Sequence, residues 1–384
     1  MFPHSGKDPA LVSASAATRQ APGLDVSSAR STAYIAVDRA LDSRTDRSNA
    51  SQPRRRGERS TGAVTRTNRS FPSVQSDDAT ARHQRPSGAP RPRTPRALPT
   101  CRPVTPIPRS RPIGVFDSGV GGLTVLHELL VALPHEDFVY LGDTARFPYG
   151  GRSPEELERF SLEVAEELIE RRVKLLVVAC NSATAAALPA VQRRMMETTL
   201  GVDVLGVVKP GAVQAVGATR NGRIGLLATP ATVRSGAYQS AIKDVDPHVD
   251  LVAVECPDLA GMIEEGFPVD ERVVATVRAY CEPLRAGRVD TVILGCTHYP
   301  LVRPMLQRSL GPGVAMVTSG AAAARQVEHA LASRGLDAHR EREGDYRFLC
   351  TGDAEVFRAV GTRFLQLPLG TVETVVPRSS RAAA

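Results

Sequence analysis

Long apolar runs are missing from this 384-residue sequence, and cysteine is scarce. No run of 18 or more apolar residues occurs, and no segment has the apolar core of a secretory signal, so we expect a soluble, cytoplasmic protein without a membrane partner. The six cysteines lack the density and regular spacing of a disulfide scaffold, so we expect reduced thiols. These shortages argue against the membrane-spanning class and against disulfide-rich secreted proteins.

Positive charge is concentrated at the start of the chain, which as a whole has a net charge of +7. Residues 1–112 contain 20 Lys and Arg against 8 Asp and Glu, which leaves 28 against 33 for residues 113–384. The first segment is rich in Arg, Pro, Ser and Gly and poor in apolar residues, which predicts disorder. It has neither aromatic interleaving nor a repeated motif, so a nucleic-acid-binding arm is not supported.

The origin of this basic extension has two further interpretations. An organellar transit peptide is also rich in Arg and Ser, although 112 residues is long for one. We favour the interpretation that much of residues 1–103 is upstream sequence translated from a wrongly assigned start. Val104 would then correspond to a GTG start codon, because no Met occurs between Met1 and Met195.

Apolar runs alternate with helical segments from Pro112 onward. The runs that we predict as buried parallel strands are 113–116, 138–142, 174–179, 203–208, 223–228, 249–255 and 290–295. A helix is predicted over 153–172, with Ser153 as its N-cap and Pro154 at its first position. Strands separated by helices imply βαβ units with right-handed crossovers.

A faint tandem repeat divides this pattern into two halves. The segment "IGVFDSG" at 113 is echoed by "IGLLATP" at 224, and "VVACNS" is echoed by "ILGCTH". The sequence therefore predicts an α/β protein with two similar, open, mostly parallel-sheet domains. Because ligands bind beyond the carboxyl ends of parallel strands, we expect the two domains to face each other across a shared cleft.

Two cysteines follow predicted strands in nearly the same setting, Cys180 in "VVACNSAT" and Cys296 in "ILGCTHYP". A single free cysteine at a strand end is usually a small buried hydrophobe. Two cysteines in matching settings, each followed by hydrogen-bond donors, favour a chemical role for both. The cysteines without such neighbours, which we predict to be packing residues, are Cys256, Cys281 and Cys350.

Three kinds of chemistry would use such cysteines. Cys296 and His298 could supply two ligands to a metal, but the sequence has no second close Cys/His pair to complete a tetrahedral site. A Cys–His hydrolase would leave Cys180 unexplained. Stereoinversion at a carbon uses both, because one thiolate removes a proton while the opposing thiol delivers one to the other face. Neighbours must then favour the thiolate, which His298 could do, and Asp117 could help to move protons.

The glycine-rich segment "VFDSGVGGLTVL" at 115–126 follows a predicted strand but fits neither nucleotide-binding pattern. The third glycine of a dinucleotide-binding loop is missing, and no Gly-Lys-Ser/Thr follows for a P-loop. We interpret the segment as a helix N-terminus whose N–H groups bind a substrate carboxylate, with Asp117 and Ser118 meeting the substrate ammonium and the nearby thiol. The alternative is a turn in which Asp117 is only the N-cap.

Two more segments supply candidate cleft residues. In "LGDTARFPYGGRS", Asp143, Tyr149 and the Gly150 backbone are suited to line the cleft, and the alternative is an ordinary loop. The segment "ATPAT" supplies Thr229 and Thr232, whose hydroxyls suit a second carboxylate.

Five motifs resemble, in order, those of the glutamate racemases in the cofactor-independent aspartate/glutamate racemase superfamily: "GVFDSGVGGLTV", "GDTARFPYG", "ACNSAT", "TPAT" and "LGCTHYPL". The resemblance runs from about Ile113 to the C-terminal region. Ser182 stands where the family usually has Thr, which keeps the hydroxyl. The extension over residues 1–112 has no family counterpart.

The resemblance implies interconversion of L- and D-glutamate for bacterial peptidoglycan synthesis, without pyridoxal phosphate, another cofactor or a metal. It implies that Cys180 and Cys296 are the two acid/base thiols. Asp117 and His298 are implied to help in proton handling, with Glu264 as a further candidate. The implied substrate-binding residues are Asp117, Ser118, Tyr149, Gly150, Asn181, Ser182, Thr297, His298, Thr229 and Thr232.

The family fold also implies domain limits and partners. Residues 113–206 and 315–375 would form the first α/β domain, residues 207–314 the second, and residues 1–112 the basic extension. The implied partner is the small-molecule substrate, a homodimer is compatible with the resemblance, and no nucleic acid is expected for the folded body. Two alternatives stay open: a racemase of aspartate or another amino acid, and a binding protein that uses its basic tail on nucleic acid.

Overall fold

The described part of the chain comprises residues 107–199, 201–266 and 271–376 of a computed structural model. Of the extension predicted as disordered over residues 1–112, residues 1–106, which include the start at Val104, lie outside these ranges. Ile107, at the beginning of the described chain, packs against two of the buried cores.

The strands in the described ranges form two parallel sheets. They are β1 Ile113–Asp117, β2 Phe138–Gly142, β3 Leu175–Val178, β4 Asp203–Gly206, β5 Arg223–Ala228, β6 Asp250–Glu255, β7 Thr291–Gly295, β8 Ala315–Thr318, β9 Tyr346–Cys350 and β10 Val372–Thr374. The larger sheet has the order β10-β9-β2-β1-β3-β4 and the smaller the order β6-β5-β7-β8. The predicted fold class, α/β with two open parallel sheets, is confirmed.

The two sheets share one topology, which explains the tandem repeat in the sequence. In each sheet the first strand is central, since β1 pairs with β2 and β3 while β5 pairs with β6 and β7. Strand β4 extends the first sheet beside β3, as β8 extends the second beside β7. The carboxyl ends of β3 and β7, where the two cysteine motifs follow, are thus equivalent positions.

Helices connect the strands of both sheets. They are α1 Leu123–Ala132, α2 Pro154–Glu170, α3 Asn181–Thr198, α4 Val208–Ala218, α5 Pro230–Arg234, α6 Ala237–Val245, α7 Leu259–Glu264, α8 Glu271–Ala286, α9 Arg303–Leu310, α10 Ser319–Arg334 and α11 Ala354–Leu365. Two short 3-10 helices lie at Thr144–Arg146 and Tyr299–Val302. None of the helices in the described ranges combines the length and the apolar composition that a membrane span requires.

Helix α2 shows how the local sequence sets these bounds. The Ser153 side chain accepts a hydrogen bond from the Glu156 N–H, and the Glu156 carboxylate accepts one from the Ser153 N–H, which is a capping box. Pro154 occupies the first helical position, where its missing N–H costs nothing. The helix predicted over 153–172 is therefore confirmed, with the predicted N-cap.

Apolar side chains cover both faces of the first sheet, as its continuous apolar strands require. Ile113 and Val115 of β1 belong to one buried cluster, whereas Phe116 belongs to another. A third cluster surrounds the central strand of the second sheet through Ile224 and Leu226. Packing on both faces holds the strand ends in place and so positions the residues that follow them.

Three strands and one boundary differ from the sequence-based expectations. The sequence does not predict β8, β9 or β10. The predicted strand 203–208 ends at Gly206, because the backbone is already helical at Val207. Sheet pairing places β8 beside β7, so the segment 315–375 predicted for the first domain begins with a strand of the second sheet. The domain limits themselves stay a prediction.

Candidate active site

A cavity of about 310 Å³ lies where the carboxyl ends of the two sheets meet. Cys180 follows β3 and Cys296 follows β7, and both line this cavity. The other predicted site residues that line it are Ser118, Tyr149, Gly150, Asn181, Ser182, Thr229, Thr297 and His298. Asp117 and Thr232 lie behind the lining and reach it through hydrogen bonds. The topology therefore brings all of the predicted site residues to one place.

Cys180 is the N-cap residue of α3 and is 5% exposed. Its Sγ accepts a hydrogen bond from the Ala183 N–H at 3.4 Å and donates one to Ser118 Oγ at 3.9 Å. Burial raises the pKa of the Cys180 thiol well above its usual range, and the charge of Asp117 raises this pKa further. Cys180 is therefore held as a protonated thiol, which is suited to deliver a proton.

Cys296 lies beside an imidazole that is itself held by a carboxylate. The Cys296 Sγ is 3.8 Å from His298 Nδ1, and His298 Nε2 is 2.8 Å from Glu264 Oε2. Burial alone would lower the pKa of His298, but the hydrogen bonds to Cys296 and Glu264 outweigh burial and raise the pKa to about 10. His298 is therefore a cation at neutral pH and lies beside the Cys296 sulfur.

Packing fixes the orientation of the His298 ring. The Phe147 ring centroid lies 5.5 Å from that of His298, and the Phe364 ring meets it edge-on at 5.1 Å. Glu264 lies at one ring nitrogen and Cys296 lies near the other. Only one orientation of the imidazole ring keeps both of these contacts. Within the described ranges, no cluster of three or more His, Cys, Asp or Glu side chains has the arrangement of a metal site.

Asp117, at the end of β1, is fully buried and links the glycine-rich loop to the second sheet. Its Oδ2 accepts a hydrogen bond from the Gly119 N–H at 3.1 Å, and its Oδ1 accepts one from the Thr297 hydroxyl at 3.4 Å. Burial raises the pKa of Asp117, although the positive charge of His298 opposes this effect. Because Asp117 accepts from the Gly119 N–H, this group is already engaged. The interpretation that N–H groups of the loop bind a substrate carboxylate stays a prediction.

Two glycines let their loops approach the cavity closely. A Cβ at Gly121 would collide with the Thr297 hydroxyl oxygen, and a Cβ at Gly150 would lie 2.8 Å from Thr229 Cβ. A larger residue at either position would have to displace the side chains that border the cavity. Gly150 thus contributes to the cavity through its bare backbone, as predicted from the sequence.

The loop that carries Tyr149 is held by one carboxylate. The Tyr149 hydroxyl donates a short hydrogen bond to Asp143 Oδ2, and Arg146 Nε donates to the same oxygen at 2.7 Å. The Thr351 hydroxyl donates to Asp143 Oδ1 at 2.8 Å. The sequence suggested that Asp143 lines the cavity, but it does not. Asp143 instead orients Tyr149, which does line the cavity.

Three buried hydroxyls join the two sheets on another side of the cavity. Ser182 Oγ lies 2.8 Å from Thr229 Oγ1 and 3.2 Å from Thr232 Oγ1, and the two threonine oxygens are 3.0 Å apart. Thr229 is also the N-cap residue of α5, so its position is fixed by the helix. Ser182 thus uses its hydroxyl within this cluster.

Several residues at the cavity have no sequence motif that indicates them. The charged ones that line it are Asp258, Glu265 and Arg272, which lie just before α7, just after α7 and in the first turn of α8. Tyr238 and Ser319 contact Asn181 from α6 and α10. Because no motif marks these side chains, only the tertiary fold shows that they lie at the site.

Relatives and solved structures resemble this chain over nearly their whole length. Over 263 residues it is 46% identical to the glutamate racemase of Geobacter metallireducens, covering 68% of this chain and 96% of that protein. The glutamate racemase of Listeria monocytogenes is 42% identical, with coverage of 68% and 97%. The structure of a glutamate racemase isoform from Bacillus anthracis is 38% identical with a TM-score of 0.65, covering 69% of this chain and 97% of that one. The Francisella tularensis glutamate racemase, solved in complex with D-glutamate, is 34% identical with the same TM-score, covering 71% and 99%.

Two parallel sheets that each deliver one cysteine to a shared cavity define an α/β protein with one thiol from each sheet at its candidate site. The family described as Asp/Glu/Hydantoin racemase matches residues 118–327. The chain belongs to the Asp/Glu/Hydantoin racemase family and is an isomerase. The resemblance inferred from the five sequence motifs is thereby confirmed.

Proposed function

We propose that this protein interconverts L- and D-glutamate with Cys180 and Cys296 as opposed acid/base groups. The observation that carries the proposal is the placement of one thiol from each sheet on a single cavity. The naming of the similar proteins as glutamate racemases, one of them in complex with D-glutamate, supports glutamate as the substrate.

The two thiols have different neighbours, which supports different roles for them in one direction of the reaction. The Cys296 thiolate, beside the His298 cation, removes the α-proton from one face of the substrate and becomes a thiol. The protonated Cys180 delivers its proton to the opposite face and becomes a thiolate. In the reverse reaction the two cysteines exchange these roles. After each turnover, Asp117 and His298 help to return a proton to Cys180.

The remaining polar groups of the site bind the two carboxylates and the ammonium. Donors suited to a carboxylate come from Asn181, the Thr297 hydroxyl, and the hydroxyl cluster of Ser182, Thr229 and Thr232. The other binding residues that we propose are Asp117, Ser118, Tyr149, Gly150 and His298. No metal or organic cofactor takes part in this scheme, because the chain's own side chains supply both proton transfers.

The cellular role follows from the product. D-glutamate made in the cytoplasm would supply peptidoglycan synthesis and hence cell-wall formation and cell shape. A homodimer is compatible with the proposal, and the folded body has no nucleic-acid partner in it.

The test is solvent deuterium incorporation at Cα of L- and D-glutamate by the full chain, without added cofactor. We expect deuterium exchange, which nuclear magnetic resonance detects, together with inversion at Cα, which circular dichroism detects. Exchange from aspartate but not from glutamate would move the assignment to another racemase of the same family. No exchange from either amino acid would overturn the proposed function.

Replacing Glu264 with Gln should shift the pH dependence of the reaction. The substitution removes one of the interactions that raise the pKa of His298, so the imidazolium loses its proton at a lower pH. Because kcat/KM reports the groups of the free enzyme, its fall on the alkaline side should begin at lower pH than in the wild type.

The matched control for this shift is Glu265→Gln, which removes the same charge from the adjacent residue. No hydrogen bond between Glu265 and His298 occurs among the described residues. In this variant we expect kcat/KM to fall on the alkaline side at the same pH as in the wild type. Identical profiles for the two variants would contradict the role given to Glu264.

A further inference from the structure

The side-chain amide of Asn181 has hydrogen bonds at its oxygen but, among the described residues, none at its nitrogen. The residue is 3% exposed, begins α3 and borders the cavity. Its Oδ1 accepts a hydrogen bond from the Tyr238 hydroxyl at 2.7 Å and a longer one from the Ser319 hydroxyl at 3.4 Å. Its Nδ2 is buried and has no hydrogen-bond partner among the described residues.

This arrangement indicates a ligand. A buried amide nitrogen without a partner loses the hydrogen bonds that it would make in water, and native structures rarely leave such a group unsatisfied. The Asn181 oxygen is already bound by two hydroxyls, so only the nitrogen is free to meet a group in the cavity. The NH2 group can only donate, so the group that satisfies it must be an acceptor, such as a carboxylate oxygen.

We propose that Tyr238 and Ser319 are positioning residues that hold the Asn181 amide with its nitrogen towards the substrate. The nitrogen then donates to a carboxylate oxygen of the bound amino acid. This inference rests on the proposed function, because it takes its ligand to be the substrate of that reaction. Neither Tyr238 nor Ser319 touches the substrate in this scheme.

The surroundings of Tyr238 suit it to a permanent donor role. Burial raises the pKa of its phenol, so the hydroxyl keeps its proton. Its oxygen also lies 3.3 Å from Ser319 Oγ, which makes the two hydroxyls one cluster. The bare backbone of Gly211 in α4 packs against this cluster, since a Cβ there would lie 3.4 Å from Ser319 Oγ.

The positioning is needed because the amide torsion of Asn is soft. Rotation about χ2 has a broad, roughly two-fold profile, so an unrestrained amide can exchange its oxygen and nitrogen. A reversed Asn181 would present an acceptor to the substrate carboxylate, and the two would repel. Three separate elements, α3, α6 and the start of α10, thus converge to choose one of two orientations.

The test replaces Tyr238 with Phe, which removes the hydroxyl and keeps the ring. We expect KM for both glutamate enantiomers to rise by about tenfold, the loss that one well-oriented hydrogen bond represents. The turnover number should change much less, because the carboxylate contact is equally strong in the ground state and in the transition state. Ser319→Ala should raise KM by less, since its contact with Asn181 is longer.

A double-mutant cycle separates positioning from packing. In the Asn181→Ala background the amide is absent, so Tyr238→Phe should cause no further rise in KM. Tyr346→Phe is the matched control, because Tyr346 lies at the amino end of β9, away from the cavity, and this variant should keep the wild-type KM.

Each outcome decides the inference. An unchanged KM in Tyr238→Phe, or an equal rise in the presence and absence of Asn181, would overturn it. If the wild-type chain does not racemise glutamate, the proposed function fails, and calorimetric binding of D-glutamate to the same variants decides the inference separately. A loss of D-glutamate affinity confined to the Asn181-containing background would then support it, and any other pattern would overturn it.

Discussion

Replacing either Cys180 or Cys296 with Ala is expected to lower kcat for glutamate racemisation by about 10³-fold or more, within the range that a positioned proton-transfer group contributes. In the proposed mechanism both thiols are required, because each serves a different face of the same carbon. Among the described residues the Cys180 Sγ has hydrogen bonds only to the Ser118 hydroxyl and the Ala183 N–H, and neither group is suited to replace it as an acid or base. Circular dichroism of either enantiomer over time measures the loss directly.

The two single variants should also differ from each other in a specific way. With one thiol left, only one face of the α-carbon has a base, so any remaining deuterium exchange is confined to the enantiomer whose proton faces that thiol. We therefore expect opposite enantiomer preferences from Cys180→Ala and Cys296→Ala. Cys281→Ala is the matched control, because Cys281 is equally buried but lies in α8 outside the cavity, and it should keep the wild-type kcat. A kcat within tenfold of the wild type in either site variant would contradict the two-thiol scheme.

The strands that form the centres of the two sheets could be predicted because they are buried on both faces. A strand such as β1 or β7 is buried along its whole length and consists mainly of apolar residues, so its composition distinguishes it. Strands β8 and β10 are short and partly exposed, with burial that resembles a loop, so no pattern separates them from their surroundings.

The same reasoning explains which site residues could be predicted. Cys180 and Cys296 immediately follow strands, so the position of each strand fixes that of its cysteine. Tyr238 and Ser319 lie 57 and 138 residues from Asn181, and only the packing of α6 and α10 brings them to it. The contacts of the glycine-rich loop could not be predicted for a third reason. Its spacing shows that N–H groups are available at a helix start, but not that Asp117 takes the Gly119 group for itself.

Lys174→Met is expected to destabilise the fold by about 3–5 kcal/mol, the usual cost of removing one partner of a buried ion pair. Lys174 is fully buried, and its ammonium has three donors. They reach Glu136 Oε2 at 2.5 Å, the Arg109 carbonyl at 2.7 Å and the Leu336 carbonyl at 2.7 Å. Burial lowers the pKa of Lys174, and the Glu136 carboxylate opposes this effect. The positive charge of Lys174 is therefore stabilised by Glu136. Urea denaturation followed by circular dichroism measures the change.

The loss should be confined to stability, because this ion pair lies away from the chemistry. Lys174 and Glu136 precede β3 and β2, at the amino ends of the strands, whereas the cavity lies at the carboxyl ends. The folded fraction of Lys174→Met should therefore keep the wild-type kcat.

Two control variants identify burial as the cause. Arg194→Ala breaks an ion pair with Glu166 in which Arg194 is half-exposed, and it should cost no more than about 1 kcal/mol. The double variant Lys174→Met with Glu136→Leu should recover part of the lost stability, because it leaves no unpaired buried charge. The recovery stays partial, since the Arg109 and Leu336 carbonyls and the Ala338 N–H still lose their partners. A cost for Lys174→Met no larger than that for Arg194→Ala would show that the ammonium does not hold these segments together.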